Sequence, residues 1–285
     1  MLVNRHYTLG SEWVYLKMYG GQIFLEDLLL KNIYDISVTL LDDGIIDKWF
    51  FLRYHDERGY HLRVRFHVCN NRSEAILEIL RSRLERYVVA NTLRYMYDIY
   101  VRELERYGAS SYDDTETLFC VDSICIVKML RALFEDDTLI KDIRLLVALR
   151  LTHDVMLTFG LDYDDMRLFS FSQRESFRSE FDINTVEQFK VCGSRYRTLR
   201  KEIETVMDDD SNFFSLTVQE LMICRKEALL KIISGIEWEV DRISYMASII
   251  HMSINRLALS DNRRIEMETY ELLSRYYESK QYIQS

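Results

Sequence analysis

Proline is missing altogether from the 285 residues, where average usage of about 5% would give roughly fourteen. No turn can depend on a cis-proline, and no Pro/Gly/Ser-rich linker divides the chain. GxSxG elbow, Walker loop, GxGxxG and HExxH are all lacking, so nucleotide-dependent, hydrolase and zinc mechanisms find no support. The five cysteines (Cys69, Cys120, Cys125, Cys192, Cys224) form no CxxC and no paired metal spacing. They read as reduced thiols used for packing, not for zinc. A signal peptide, an uninterrupted apolar run of spanning length and a terminal lipidation motif are also absent, so a cytoplasmic location without a membrane span is expected. Basic excess is lacking too. A formal net charge of −9 and a pI near 5.3 argue against direct, broad binding of nucleic acid or anionic membrane.

A hydrophobic content of 48% is enough for a sizeable core in one large domain or two closely packed lobes. Of the 37 basic residues, 27 are arginine, the residue suited to oriented carboxylate or phosphate contacts. Tyr60 to His67, YHLRVRFH, concentrates that preference. Its period of two places His61, Arg63 and Arg65 on one side of a predicted strand and Leu62, Val64 and Phe66 on the other. Two guanidiniums opposite an apolar face make an anion site, because each offers a planar fork of donors to a carboxylate. A solvated strand face would carry the same letters.

In chain order, residues 12 to 19 read as a strand ended by Gly20-Gly21, and a helix follows from 23 to about 41. Residues 48 to 54 and 60 to 67 form a hairpin across a polar turn. Asn71 and Ser73 are candidate caps for a helix to about Val89, and residues 92 to 104 read as a further strand. The order β, α, β, β, α, β is that of a ferredoxin-like antiparallel sheet with helices on one face and the other face open. Beyond Gly108 the pattern turns to helices, about 114 to 134, 138 to 157, 163 to 178, 184 to 207, 216 to 236, 239 to 258 and 263 to 281. Asp208-Asp209-Asp210 reads as a solvated turn rather than a metal loop. The expected architecture is α+β: a single domain over 1–285, with a sheet lobe to about 110 and a mainly helical lobe from about 111.

Three more stretches bear on chemistry. In YVRELERYG (100 to 108), Tyr100 and Arg102 share a strand face, and Arg102 can join Arg63 and Arg65 around a dicarboxylate or a developing oxyanion. An ion-pair ladder of Glu103, Glu105 and Arg106 is the alternative. In DTETLFCVDS (114 to 123), Thr115, Glu116 and Asp122 fall near a helix start and read as caps. In HMSINR (251 to 256), His251 sits at the edge of an apolar helical stripe, one turn from Asn255 and close to Arg256. It is the best acid/base candidate among six histidines, with His61 as competitor. A structural histidine fits the same position.

The series WVYLKMYGG, FFLRYHDERGYHLRVRF, YVRELERYGASSYDDTETLFCVDS and HMSINRL, in this order, resembles the C-terminal glutamate-elimination domain of class I lantibiotic dehydratases, which also occurs alone as the thiopeptide-type bacteriocin biosynthesis protein. The resemblance runs from about Trp13 to Tyr276. It implies a lyase that eliminates glutamate from glutamylated Ser or Thr of a precursor peptide, giving dehydroalanine or dehydrobutyrine. It further implies Arg65, Arg102 and His251 as the reacting set, with Arg63 and Arg106 as neighbours and no redox cofactor or metal required; His61, Asn255 and Arg256 are further substrate-binding candidates, and Arg63, Arg65, Arg102 and His251 are expected to line one cavity between the sheet face and the HMSINR helix. Ala109 departs from the family, which usually has a second glycine there. The implied partners are the glutamylated precursor peptide and a separate glutamyl-tRNA-dependent glutamylation protein, and a homodimer is compatible with it. The start at Met1 favours such a split system. Two alternatives stand beside this reading: a cycloaddition that builds the pyridine core of thiopeptides, and a non-catalytic subunit that binds the precursor.

Overall fold

The computed structural model describes residues 4–70, 72–135, 142–208 and 212–284, with the backbone alone at 135, 186 and 281–284. After a short strand β1 (His6–Tyr7), the chain lays down β2 (Trp13–Tyr19) and a helical segment that runs from α1 (Gln22–Leu28) through a π-helical turn (Leu29–Ile33) into α2 (Tyr34–Asp42). The hairpin β3 (Ile46–Asp56) and β4 (Gly59–Val68), helix α3 (Ser73–Val89) and strand β5 (Arg94–Tyr97) complete the sheet lobe. The four long strands are antiparallel in the order β3-β4-β2-β5, the ferredoxin-like arrangement expected from the element order. Val14, Leu16 and Met18 of β2 and Leu62, Val64 and Phe66 of β4 are buried on the face that carries the first helices, as strict alternation requires.

Two local expectations change. Residues 92 to 104 do not form one strand: β5 stops at Tyr97, and the Asp98 carboxylate accepts the Ile99 amide. The chain then re-pairs as β6 (Tyr100–Val101) with β1, in a separate two-stranded ribbon, before one helical turn α4 (Leu104–Tyr107). Tyr100 thereby comes to rest against Trp13 and Phe50, so it covers the sheet face expected to be open. Ser73 is the first residue of α3 and not its cap; the cap position belongs to Arg72, which makes no side-chain capping bond, and Asn71 lies outside the described residues.

The helical lobe follows the sequence pattern closely: α5 (Tyr112–Glu135), α6 (Ile143–Thr158), α7 (Tyr163–Glu180), α8 (Val186–Val206), α9 (Leu216–Ile233), α10 (Arg242–Leu257) and α11 (Asn262–Gln284). The predicted helix start near 138 and Asp209-Asp210 fall outside the described residues. Among the described residues no helix is long and apolar enough to cross a membrane, and no cluster of three metal-ligating side chains is present.

The lobes join along the outer edge of β3. An edge strand offers unpaired amides, and here side chains from the helices take them. The Trp49 and Phe51 amides donate to Cys120 Sγ and Ser123 Oγ of α5, and Arg53 exchanges two bonds with the Asn255 amide of α10. Arg256 donates to the Phe51 carbonyl at 3.1 Å and to Asp122 at 2.7 Å, while Asp122 also accepts from Arg225 of α9 at 2.7 Å. Thr115, Glu116 and Asp122 are therefore not caps. Thr115 bonds to the Tyr245 hydroxyl, and the two carboxylates are buried counterions, because α5 turns these residues into the lobe interface.

Burial alone would raise the Asp122 pKa, but the two guanidiniums outweigh it and hold the carboxyl below its ordinary value. Removing one partner of a buried ionic cluster leaves the others uncompensated, at a cost of about 3–5 kcal/mol. Asp122→Asn is expected to lose stability on that scale in urea unfolding, and an unchanged midpoint would show that the clamp is not what joins the lobes.

Candidate active site

The register of the sheet builds the site in rows. Tyr15, Arg65 and Phe50 are cross-strand neighbours on β2, β4 and β3. The Arg65 guanidinium lies 4.3 Å from the Tyr15 ring centre and 5.1 Å from that of Phe50, and Tyr100 closes the cage at 5.0 Å. Arg65 is 7% exposed, yet its Nε and Nη1 have no hydrogen-bond partner among the described residues. A buried cation without a counterion is costly, and ring faces offset only part of that cost, roughly 0.5–2 kcal/mol for each good contact.

Arg63 and His61 occupy the next rows. Arg63 sits 3.5 Å over the Tyr54 ring and donates from Nε to His61 Nε2 at 3.2 Å. His61 is fully buried between the Tyr19 and Tyr54 rings, with Nδ1 facing the Gly59 carbonyl at 3.3 Å. Burial lowers its pKa, so it is held neutral with the proton on Nδ1 and the lone pair toward Arg63. That environment makes His61 an orienting group for Arg63.

Arg102, on the strand segment that crosses the sheet face, is buried and already paired. It holds both oxygens of Glu116, and the Tyr100 hydroxyl donates to the same carboxylate at 2.8 Å. Burial opposes its charge, and the bond to Glu116 more than offsets this, so the guanidinium stays protonated. Tyr100 thus touches Arg65 with its ring and the Arg102–Glu116 pair with its hydroxyl, and this joins the two arginines into one unit.

His251 belongs to a different group. Its Nδ1 lies 2.7 Å from Glu266 Oε2 of α11, and Glu266 is 5% exposed and also accepts from Arg263 at 2.9 Å. No hydrogen bond or ion pair among the described residues joins His251 to an arginine of the sheet. The link is indirect: Asn255, one turn further along α10, grips Arg53, the neighbour of the Tyr54 that carries Arg63. A cavity of about 420 Å³ opens there, lined by Arg53, Tyr54 and Arg263 among others.

The remaining expected contacts have other partners. Asn255 spends its amide on the β3 backbone, Arg256 is fully buried in the Asp122 clamp, and Arg106 is an exposed residue paired with Glu103. Glu266, Tyr15 and Tyr54 escaped the sequence reading and Glu116 passed for a cap, because single charged positions carry no sign of the cross-strand and cross-helix partners that fix them. A larger groove of about 810 Å³ lies between α8 and α11, where Asp142, Arg195 and Glu268 are paired with one another.

An α+β protein with a four-stranded ferredoxin-like sheet and a helical lobe clamped to its edge strand is the class that these features define. The chain belongs to the lantibiotic biosynthesis dehydratase C-terminal family, whose model matches residues 13–277. No curated protein matches its sequence. Among solved structures it resembles the tRNA-dependent lantibiotic dehydratase MibB from Microbispora sp. 107891 (20% identity, TM-score 0.69), covering 98% of this chain and 29% of that one. It also resembles TsrL (17%, 0.66, covering 94% and 95%) and TbtD, the pyridine synthase from thiomuracin biosynthesis (13%, 0.66, covering 96% and 100%). At these identities the likeness is one of fold.

Two stability measurements test the geometry. Arg65 makes no hydrogen bond through Nε or Nη1, so Arg65→Met is expected to hold or raise the thermal midpoint; a loss beyond about 2 kcal/mol would make Arg65 a structural residue. Between the lowered pKa of His61 and the ordinary value of about 6.5, the unfolded chain binds a proton that the folded chain does not. Stability should therefore fall as pH drops below about 6.5, and more steeply in the parent than in His61→Gln. Equal slopes would remove the neutral assignment.

Proposed function

We propose that this chain eliminates glutamate from a glutamylated Ser or Thr of a precursor peptide, leaving dehydroalanine or dehydrobutyrine. The observation that carries the reading is the Arg65 guanidinium, buried in its aromatic cage without a counterion among the described residues and with two donor nitrogens unspent. A protein keeps such a group at a cost in stability when an anion is to be received there.

The elimination breaks the Cα–H bond, forms the Cα=Cβ bond with that electron pair, and breaks Cβ–O, so that glutamate leaves as a carboxylate. Negative charge grows on the carbonyl oxygen next to Cα and on the departing carboxylate. Arg65 is the donor that meets this charge. Arg102, whose own charge is balanced by Glu116, adds an oriented hydrogen bond beside it, and Arg63 binds the peptide over Tyr54. His251 takes the α-proton on Nε2 and passes it to solvent once the carboxylate has left. The step is redox-neutral and balances with these side chains and solvent. A separate glutamyl-tRNA-dependent protein supplies the ester, which places the reaction in the cytoplasm.

The test uses a synthetic peptide carrying one O-glutamyl serine. The parent is expected to release glutamate and the dehydrated peptide and to leave the unacylated peptide unchanged, since a free hydroxyl is a poor leaving group. His251→Ala should keep its thermal midpoint while slowing release by about 10²- to 10⁴-fold. Arg65→Met should slow it by about 10²- to 10³-fold, the usual loss of one oxyanion donor. Dehydration of the unacylated peptide, or an unchanged rate in His251→Ala, would refute the assignment. Formation of a pyridine ring from a peptide with two dehydroalanines, with the ester untouched, would replace it by cycloaddition.

A further inference from the structure

Glu266 comes from no part of the motifs that suggested the reaction, and the hairpin of α10 and α11 places it against His251 across fifteen positions of chain. An ionised carboxylate only accepts hydrogen bonds, so a neutral His251 facing Glu266 Oε2 at 2.7 Å must carry its proton on Nδ1. Nε2 then keeps its lone pair. The His251 side chain is 26% exposed while Glu266 is 5% exposed, so the ring has one nitrogen committed to the protein and an accessible edge for a ligand.

The carboxylate is itself held from a second side. Arg263 donates to the same oxygen at 2.9 Å and pairs with Glu180 at the end of α7, so three helices fix the orientation of Glu266. Arg263 also lines the 420 Å³ cavity that Tyr54 borders, which connects this anchoring to the arginine side of the site. A surface ion pair would need none of this convergence, since exposed pairs contribute little and require no fixed geometry.

We propose that Glu266 is the positioning residue of the proposed elimination: it selects the Nδ1–H tautomer of His251 and aims Nε2 as the base, with Arg263 fixing its orientation. This rests on the elimination reading for the role of His251, whereas the tautomer itself does not. Gln at 266 has the same shape but can present its amide donors to Nδ1, which would move the proton to Nε2 and remove the base.

The first measurement is ¹⁵N NMR of the full chain labelled at histidine nitrogen, above the usual histidine pKa range, with His251→Gln used to assign the signals. The parent is expected to show a protonated Nδ1 and an unprotonated Nε2 at His251. In Glu266→Gln the proton should shift to Nε2, and with the O-glutamyl serine peptide kcat should fall about 10²- to 10⁴-fold while KM changes by less than about threefold. Glu266→Asp should recover part of kcat. A parent His251 protonated on Nε2 overturns the proposal without any variant, and so does a folded Glu266→Gln with parental kcat. If the parent releases no glutamate while its His251 is protonated on Nδ1, the elimination reading falls and with it the catalytic role of Glu266.

Discussion

The constraint on which the rest of this structure depends is the exposed edge of β3. A ferredoxin-like sheet ends in two edge strands, and an eleven-residue edge inside a protein would leave several amides and carbonyls without partners. Cys120, Ser123, Asn255 and Arg256 supply those partners from two helices far apart in sequence. Arg256 can do so only because Asp122 balances it, and Asp122 also has to answer Arg225. The helical lobe is thus hydrogen-bonded onto the sheet as well as packed against it. A similar device works nearby, where Glu26 of α1 receives Arg53 of β3 and Arg144 of α6.

Against that background the arginines fall into two kinds. Arg225 and Arg256 are buried on the shared carboxylate of Asp122 and Arg102 on that of Glu116, and they hold elements together. Arg65 is buried as deeply but has only aromatic faces around it, and Arg63 has one ring and one neutral histidine. The distinction is the presence of a carboxylate partner among the described residues, not residue type.

The alternation of YHLRVRFH was enough to predict which side chains share the arginine face, because a period of two leaves a strand little freedom. Helix extents were legible for the same kind of reason: long apolar stripes of period 3.6 set them within a few residues. What was not legible is where a chain leaves a sheet. Residues 92 to 104 carry strand-like letters throughout, yet the chain departs at Asp98, re-pairs with β1 and brings Tyr100 over Arg65. That is decided by the free amides of His6–Tyr7, ninety residues earlier. Counterion assignments failed similarly. Glu116 and Asp122 have the letters and positions of helix-start carboxylates, and only the direction in which α5 faces converts them into interface ions. Motifs such as HMSINR therefore mix two functions that sequence cannot separate, since Asn255 and Arg256 hold the fold while His251 turns toward α11.

The same backbone is shared with a dehydratase and with a pyridine synthase, so the sheet and its clamp cannot select the reaction. Selection has to lie in the groups that the fold leaves unspent. Both reactions handle unsaturated or acylated serine positions of a peptide, but their demands differ at one point: elimination must break a Cα–H bond and stabilise a departing carboxylate, whereas joining two dehydroalanines expels no carboxylate. In the proposed elimination the caged Arg65 guanidinium would meet the second demand, and His251, held through Nδ1 by the buried Glu266 carboxylate, the first. Neither is needed to build the core or to close the β3 edge, which the Asp122 and Glu26 networks already accomplish. On the proposed elimination, the cost of retaining Arg65 without a counterion among the described residues would be offset by binding an acidic leaving group at that face.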